Sequence, residues 1–123
     1  MTSRFPIRFG RFNAALMSLF GMNPGNSFVE VDGHEVRVQM GRGFRATIPR
    51  SSIVEARRRG YVWWAYGIHG WRGRLIVNGS GHNLASLRLE PPVQASVFGI
   101  SVRVTELWVS LVDPEGFLAA VGR

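Results

Sequence analysis

The chain contains no cysteine. Disulfides, thiolate nucleophiles and cysteine-ligated metals are therefore excluded. Lysine is absent as well, so all fifteen basic side chains are arginine. G+C-rich coding favours that choice, and it has a physical consequence. Arginine keeps its charge and pairs bidentately with carboxylate or phosphate. Long apolar runs are also missing. The longest, FNAALMSLFGM at 12–22, is far shorter than the roughly 20 residues of a membrane span. No small-residue cleavage site of a secretory signal follows it. The expectation is a soluble cytoplasmic protein, at most peripheral to the inner face of the membrane.

Acidic side chains are few and unevenly placed. Residues 1–74 hold twelve arginines against Glu30, Asp32, Glu35 and Glu55, a balance of +8. Residues 75–123 hold three arginines against Glu90, Glu106, Asp113 and Glu115, a balance of −1. Such asymmetry predicts one basic face that attracts anionic partners. The length, 123 residues with 46% hydrophobic side chains, suits one domain with one core. No linker or internal repeat divides it. We read 1–123 as a single domain, with 1–26 as an N-terminal extension and 27–121 as its core.

Strand patterning dominates. SFVEVDGHEVRVQM (27–40) alternates apolar and polar residues on both sides of Asp32-Gly33. That dipeptide predicts a hairpin turn with positive φ. FRATIP continues as a third strand, with Phe44, Ala46 and Ile48 inward. Strand character is expected again over 52–60, over the aromatic run 61–68, over 71–78 and over 83–90, the last stopped by Pro91-Pro92. Residues 93–99 read as an edge piece or loop. In 100–112 the apolar phase set by Ile100, Val102 and Val104 slips before Leu107, Val109 and Leu111. The slip points to a β-bulge or to two strands joined by a tight bend.

Two helices are expected. Asn13 can cap a short one over 14–20, closed by Gly21. Asp113, Pro114 and Glu115 open a second, with Phe117, Leu118 and Val121 as its buried stripe.

SFVEV…HEVRVQMG…FRATIPRSSIVEARR resembles the start of a bacterial pleckstrin-homology-like domain. ELWVSLVDPEGFLAAV resembles that family's close, where the last strand runs into an Asp-Pro-Glu helix cap. GIHGWRGRLIVNGS is similar to a segment of a group of small actinobacterial proteins. The likeness covers roughly 27–121, with the middle, 61–99, departing from the family's pattern. It implies a mainly β, antiparallel, partly open barrel of about seven strands with a helix at one end. It also implies a binding domain, since such domains mostly bind other molecules, and the likeness itself contains no catalytic signature.

Chemistry is sparse. The three histidines are His34, His69 and His82. His34 and His82 fall in turns, and no His-x-x-x-His or His-Glu-x-x-His spacing is present, so no metal or other cofactor is expected. Glu30, Asp32 and Glu35 belong to the wet side of a hairpin, and Asp113 and Glu115 to a helix start. The stretch that stands out is 57–74, RRRGYVWWAYGIHGWRGR. Arginine beside aromatic rings suits anionic lipid, where tryptophan sits at the interface, and nucleic acid, where rings stack on bases. The same tryptophans can simply fill a small core. Trp63 and Trp64, as strand neighbours, must point to opposite faces. The candidate ligand-binding residues are Arg57, Arg58, Arg59, Trp64, His69, Trp71, Arg72 and Arg74. The leading expectation is a basic face that contacts a membrane surface, an acidic protein or a phosphorylated ligand. The alternative is a nucleic-acid-binding module, and the third reading is a small enzyme with a pocket near His69. Self-association through a sheet edge also stays open.

Overall fold

A computed structural model of the chain describes residues 2–8, 21, 24–60, 67–71, 73–78 and 82–122, of which 24, 67–71, 77 and 78 are described by backbone alone. Nine strands follow one another: β1 (Ser3–Pro6), β2 (Ser27–Val31), β3 (Glu35–Met40), β4 (Phe44–Pro49), β5 (Ile53–Arg59), β6 (Gly67–Trp71), β7 (Arg74–Asn78), β8 (Leu84–Val97) and β9 (Ile100–Ser110). One helix, α1 (Pro114–Val121), closes the described chain. The fold is mainly β, with the expected C-terminal helix. The expected helix over 14–20 lies outside the described residues.

The β2–β3 hairpin forms for a reason different from the expected one. Gly33 does not adopt positive φ. Instead the Asp32 carboxylate accepts the N–H groups of His34 at 2.7 Å and Glu35 at 2.9 Å. A short acidic side chain thus closes the turn on its own backbone. The hairpin register pairs Val29 with Val38 and Val31 with Val36, which puts all four inside. β4 extends the same alternation, burying Phe44, Ala46 and Ile48 as expected.

The strands form one sheet in the order β1-β2-β3-β4-β8-β9-β7-β6. β9 runs along one side of the long β8. The other side of β8 takes β5 against Leu84–Leu89, then β4 against Ala95–Val97. The path is open, with β1 and β6 at its ends. A single bridge, Ile7 to Leu111, ties the chain after β1 to the chain after β9. The Arg8 N–H donates to the Ser110 carbonyl at 3.0 Å, and the Val112 N–H to the Pro6 carbonyl at 3.0 Å.

Three sequence expectations change. Among the described residues there are nine strands where about seven were expected, partly because Ser3–Pro6, read as part of an N-terminal extension, pairs with β2 as a strand of the sheet. Residues 93–97 are no edge piece but the second half of β8, paired with β9 throughout and with β4 as well over Ala95–Val97. Pro91-Pro92 does not stop that strand. Arg88 pairs with Glu106 and Val93 with Val104, so residues 89–92 stand opposite Thr105 alone. Prolines there vacate no bond to β9, because the ladder is already interrupted. The phase slip read at Thr105-Glu106 is this irregularity: Val104 and Leu107 are both buried. Within it, the Gly73 carbonyl accepts from Thr105 N–H at 2.7 Å and from Glu106 N–H at 3.2 Å.

The core lies between the inner face of the sheet and α1, with Val36, Ile48, Leu87, Leu107, Val109 and Phe117 fully enclosed. Asp113 caps the helix by accepting the Gly116 N–H at 2.9 Å. Phe117 meets Phe5 edge to face, with centroids 5.8 Å apart. Leu118 is half-buried and Val121 buried, as the stripe predicts. Gly122 ends the helix at φ 69°, a left-handed cap that glycine takes without strain.

Candidate functional site

Consecutive arginines on a strand cannot face one way. On β5, Arg58 donates to Glu115 at the start of α1 at 2.8 Å and to the Leu84 carbonyl at 3.1 Å. Arg59, on the other side, donates to the Ser86 hydroxyl at 2.8 Å. Its guanidinium also stands 3.6 Å from Glu106 and 4.8 Å from the centroid of the Trp108 ring. Arg57 lies 3.4 Å from Glu55. Arg74, on β7, lies 3.4 Å from the second oxygen of Glu106.

Glu106 is therefore a hub. It is only 17% exposed, it faces two arginines, and it accepts the indole N–H of Trp108 at 2.6 Å. Trp108 in turn packs on Ile76 and Leu84. Pairing of β5 with β8, of β8 with β9 and of β9 with β7 brings Arg59 and Arg74 together here. Neither Glu106 nor Trp108 stood out in the sequence, because each sits in an ordinary strand pattern. The backbones of His69 and Trp71 pair with Ile76 and Arg74; their side chains, and all of Trp63, Trp64 and Arg72, lie outside the described residues. The positive charge expected of Arg57, Arg58, Arg59 and Arg74 is largely met within the molecule.

A second ionic cluster occupies the Asp32 turn. Arg37 reaches Asp32 at 2.7 Å, Glu35 at 3.0 Å and Glu30 at 3.5 Å, and Arg4 reaches Glu30 at 2.9 Å. The hydrogen bond from Arg37, followed by those from the His34 and Glu35 N–H groups, holds the Asp32 carboxyl well below the usual carboxylate range. The hydrogen bond from Arg4 lowers Glu30. Its Asp32 partner pushes Arg37 further above its ordinary value. These carboxylates are stabilised as anions and serve the hairpin.

The opposite end of β2, β3 and β4 differs in chemistry. Here the β3–β4 turn, Gly41–Gly43, meets the β8–β9 turn, Phe98–Gly99, and the Phe98 N–H donates to the Gly43 carbonyl at 2.9 Å. Residues before β2 join them: the Gly21 carbonyl accepts from Arg42 N–H at 3.3 Å and from the Asn26 amide at 3.0 Å. Arg42 and Arg45 are exposed at this end, and neither guanidinium has a carboxylate partner among the described residues. Phe98 is 54% exposed and Ile100 68%.

Register explains that exposure. Phe44 pairs with Val97 and Val97 with Ile100, all on the inner-face parity. Burial fades along this row from enclosed Phe44 through half-buried Val97 to exposed Ile100. On the outer face, Arg45 pairs with Ser96, and an open depression of about 360 Å³ beside it is lined by Thr47, Gln94, Ser96 and Ser101. Hydroxyl and amide groups around an unneutralised guanidinium can hold an anion's oxygens.

Among the described residues, no cluster of three His, Asp or Glu side chains is arranged to hold a metal, and no helix is long and apolar enough to cross a membrane. Comparison of the chain with known proteins returned no match to a protein-family model, to a curated protein or to a solved structure.

Proposed function

We propose that the chain is a binding module of pleckstrin-homology-like type, without catalytic chemistry of its own, that meets an anionic partner through a basic face. A sheet followed by an Asp-capped helix that packs on it supports the type. The bridge from Ile7 to Leu111, which draws the two sides of the sheet together, supports the partly open barrel that the type implies.

One observation carries the anionic partner. The arginines divide into two classes, those neutralised in place and those left bare. Among the described residues, Arg57, Arg58, Arg59 and Arg74 face carboxylates, whereas Arg42, Arg45, Arg88 and Arg103 are exposed without an ion pair, and of these Arg42 and Arg45 stand together at the β3–β4 turn end. The contact surface is accordingly centred on Arg42 and Arg45, with the arginines of 57–74 as its flank.

The test is a binding titration of the full chain against anionic vesicles, a single-stranded oligonucleotide and an acidic peptide over a range of salt. Affinity for at least one of them should fall with salt, since phosphate or carboxylate neutralisation releases counterions. An oligonucleotide response with the steepest salt slope would favour the nucleic-acid alternative. A chain that binds no polyanion at low salt has no such function.

A further inference from the structure

The β8–β9 turn carries a residue that nothing among the described residues explains. Val97 pairs with Ile100, so Phe98 and Gly99 form a two-residue hairpin loop, with φ of 47° and 83°. Such loops require positive φ and favour Asn-Gly or Asp-Gly. A bulky residue in the left-handed region is strained, and such strain persists where it serves a function. Phe98 takes this conformation and still leaves its ring more than half exposed. The turn would form better without it, and the core does not use it.

Its surroundings are specific. Ile100, the most exposed large apolar side chain among the described residues, is two positions along. Arg42 belongs to the neighbouring turn, which is tied to Phe98 through the Gly43 carbonyl. Arg45 pairs with Ser96, two residues behind Phe98 along β8, roughly 7 Å at strand spacing. The other exposed apolar side chains, Val54 and Val112, adjoin Glu55 and Asp113 instead. At this one end, apolar tips lead and unneutralised cations stand just behind them.

From this arrangement, and resting on the anionic-partner reading above, we infer that the β8–β9 turn docks the protein on an anionic lipid bilayer. Phe98 and Ile100 enter the boundary between headgroups and acyl chains while Arg42 and Arg45 stay among the lipid phosphates. A bilayer presents both chemistries in that order of depth: anionic oxygens outside, hydrocarbon some 5–10 Å further in. A nucleic acid or an acidic peptide satisfies the arginines but offers no apolar layer beneath its charge.

Co-sedimentation of the full chain with phosphatidylcholine vesicles, and with phosphatidylcholine vesicles containing phosphatidylserine, tests this. The wild type should partition onto the second and far less onto the first. Phe98→Asn fits the turn better, so its melting temperature should equal or exceed the wild-type value; loss of binding then cannot be loss of fold. Its partition should fall roughly tenfold or more, the share a buried aromatic ring contributes, with the salt slope unchanged. Ile100→Thr should act in the same direction. Arg42→Gln/Arg45→Gln should weaken partition by roughly fivefold per arginine and flatten the salt slope. If Phe98→Asn and Ile100→Thr bind phosphatidylserine vesicles as the wild type does, the tip does not insert and this inference falls, while the anionic-partner reading survives. Binding to an oligonucleotide or acidic peptide without binding to vesicles has the same consequence. Binding to no anion overturns both.

Discussion

The Arg50 guanidinium donates to the Val121 carbonyl at 2.8 Å, across 71 positions of sequence. It also reaches the Ala120 carbonyl at 3.3 Å and the Asp32 carbonyl at 3.0 Å. One side chain thus satisfies the open carbonyls at the end of α1, complements the negative end of its dipole, and fastens both to the β2–β3 turn. Arg50→Ala should lower stability by about 1.5–2 kcal/mol, the lower part of the range for hydrogen bonds involving a charged group. Thermal melting should fall by about 4–8 °C for a chain of this size. Arg50→Lys, which keeps a charge but loses the fork, should fall between. An unchanged melting temperature in Arg50→Ala would mean that the helix end is held without it.

Acid should loosen the Asp32 turn. Asp32 and Glu30 titrate lower in the folded chain than in the unfolded one, chiefly through hydrogen bonds from Arg37 and Arg4. The folded state therefore binds fewer protons than the unfolded state through the acidic range. Their contribution is full above the ordinary carboxylate pKa and is lost as pH falls toward the folded values. Melting temperatures measured from about pH 6 down to about pH 2 should decline, and Asp32→Asn should decline less steeply. Parallel curves for the two proteins would show that Asp32 does not supply the dependence.

Gly73 is required on two counts. Its φ is +84°, and a Cβ there would stand 2.8 Å from the Thr105 hydroxyl oxygen. Gly73→Ala should cost about 1–3 kcal/mol, as a residue forced into that region does. Adding Thr105→Ala removes the contact but not the backbone strain, so the double variant should recover only part of the loss in a denaturant titration. Full recovery would leave the contact as the whole cause.

Charge neutralisation within the molecule should be visible in anion binding. Arg57→Gln/Arg58→Gln removes cations already facing Glu55 and Glu115. It should weaken affinity for phosphatidylserine vesicles about twofold at most, against roughly twentyfold or more for Arg42→Gln/Arg45→Gln. Glu106→Gln should raise affinity a few fold, because it strips the anion from Arg59 and Arg74. Equal losses in the two double variants would move the contact surface back to β5.

Much of the sheet was legible because its signal is local. The alternation of 27–49 produces β2, β3 and β4 with the expected residues inside. Asp113-Pro114-Glu115 opens α1 where its capping chemistry predicts. The irregularity beside Thr105 shows as a change of phase in β9. What misled was also local. Pro91-Pro92 reads as an end because a proline normally interrupts a ladder, yet here the ladder steps over it. Asp32-Gly33 reads as a turn made by glycine, whereas the aspartate side chain makes it.

The candidate site was less legible, since charge has no meaning until its partners are known. The run Arg57-Arg58-Arg59 looks like a basic patch in one dimension. Folding sets Arg58 against Glu115, 57 positions away, and Arg59 beside Glu106. Arg42 and Arg45 are unremarkable in sequence, and Phe98 sits in a stretch read as an edge or loop. They matter because the Gly43 carbonyl meets the Phe98 N–H, which sets two remote turns side by side.

By itself, then, the sequence determined the material: strands by period, a helix by its cap, an arginine-only positive charge, and no thiol chemistry. Tertiary structure alone decided which arginines are spent on carboxylates and which face water beside exposed Phe98 and Ile100. The reason is physical. Periodicity and capping act over a few residues and are written where they act, whereas neutralisation and exposure depend on distances through space that strand order and register create.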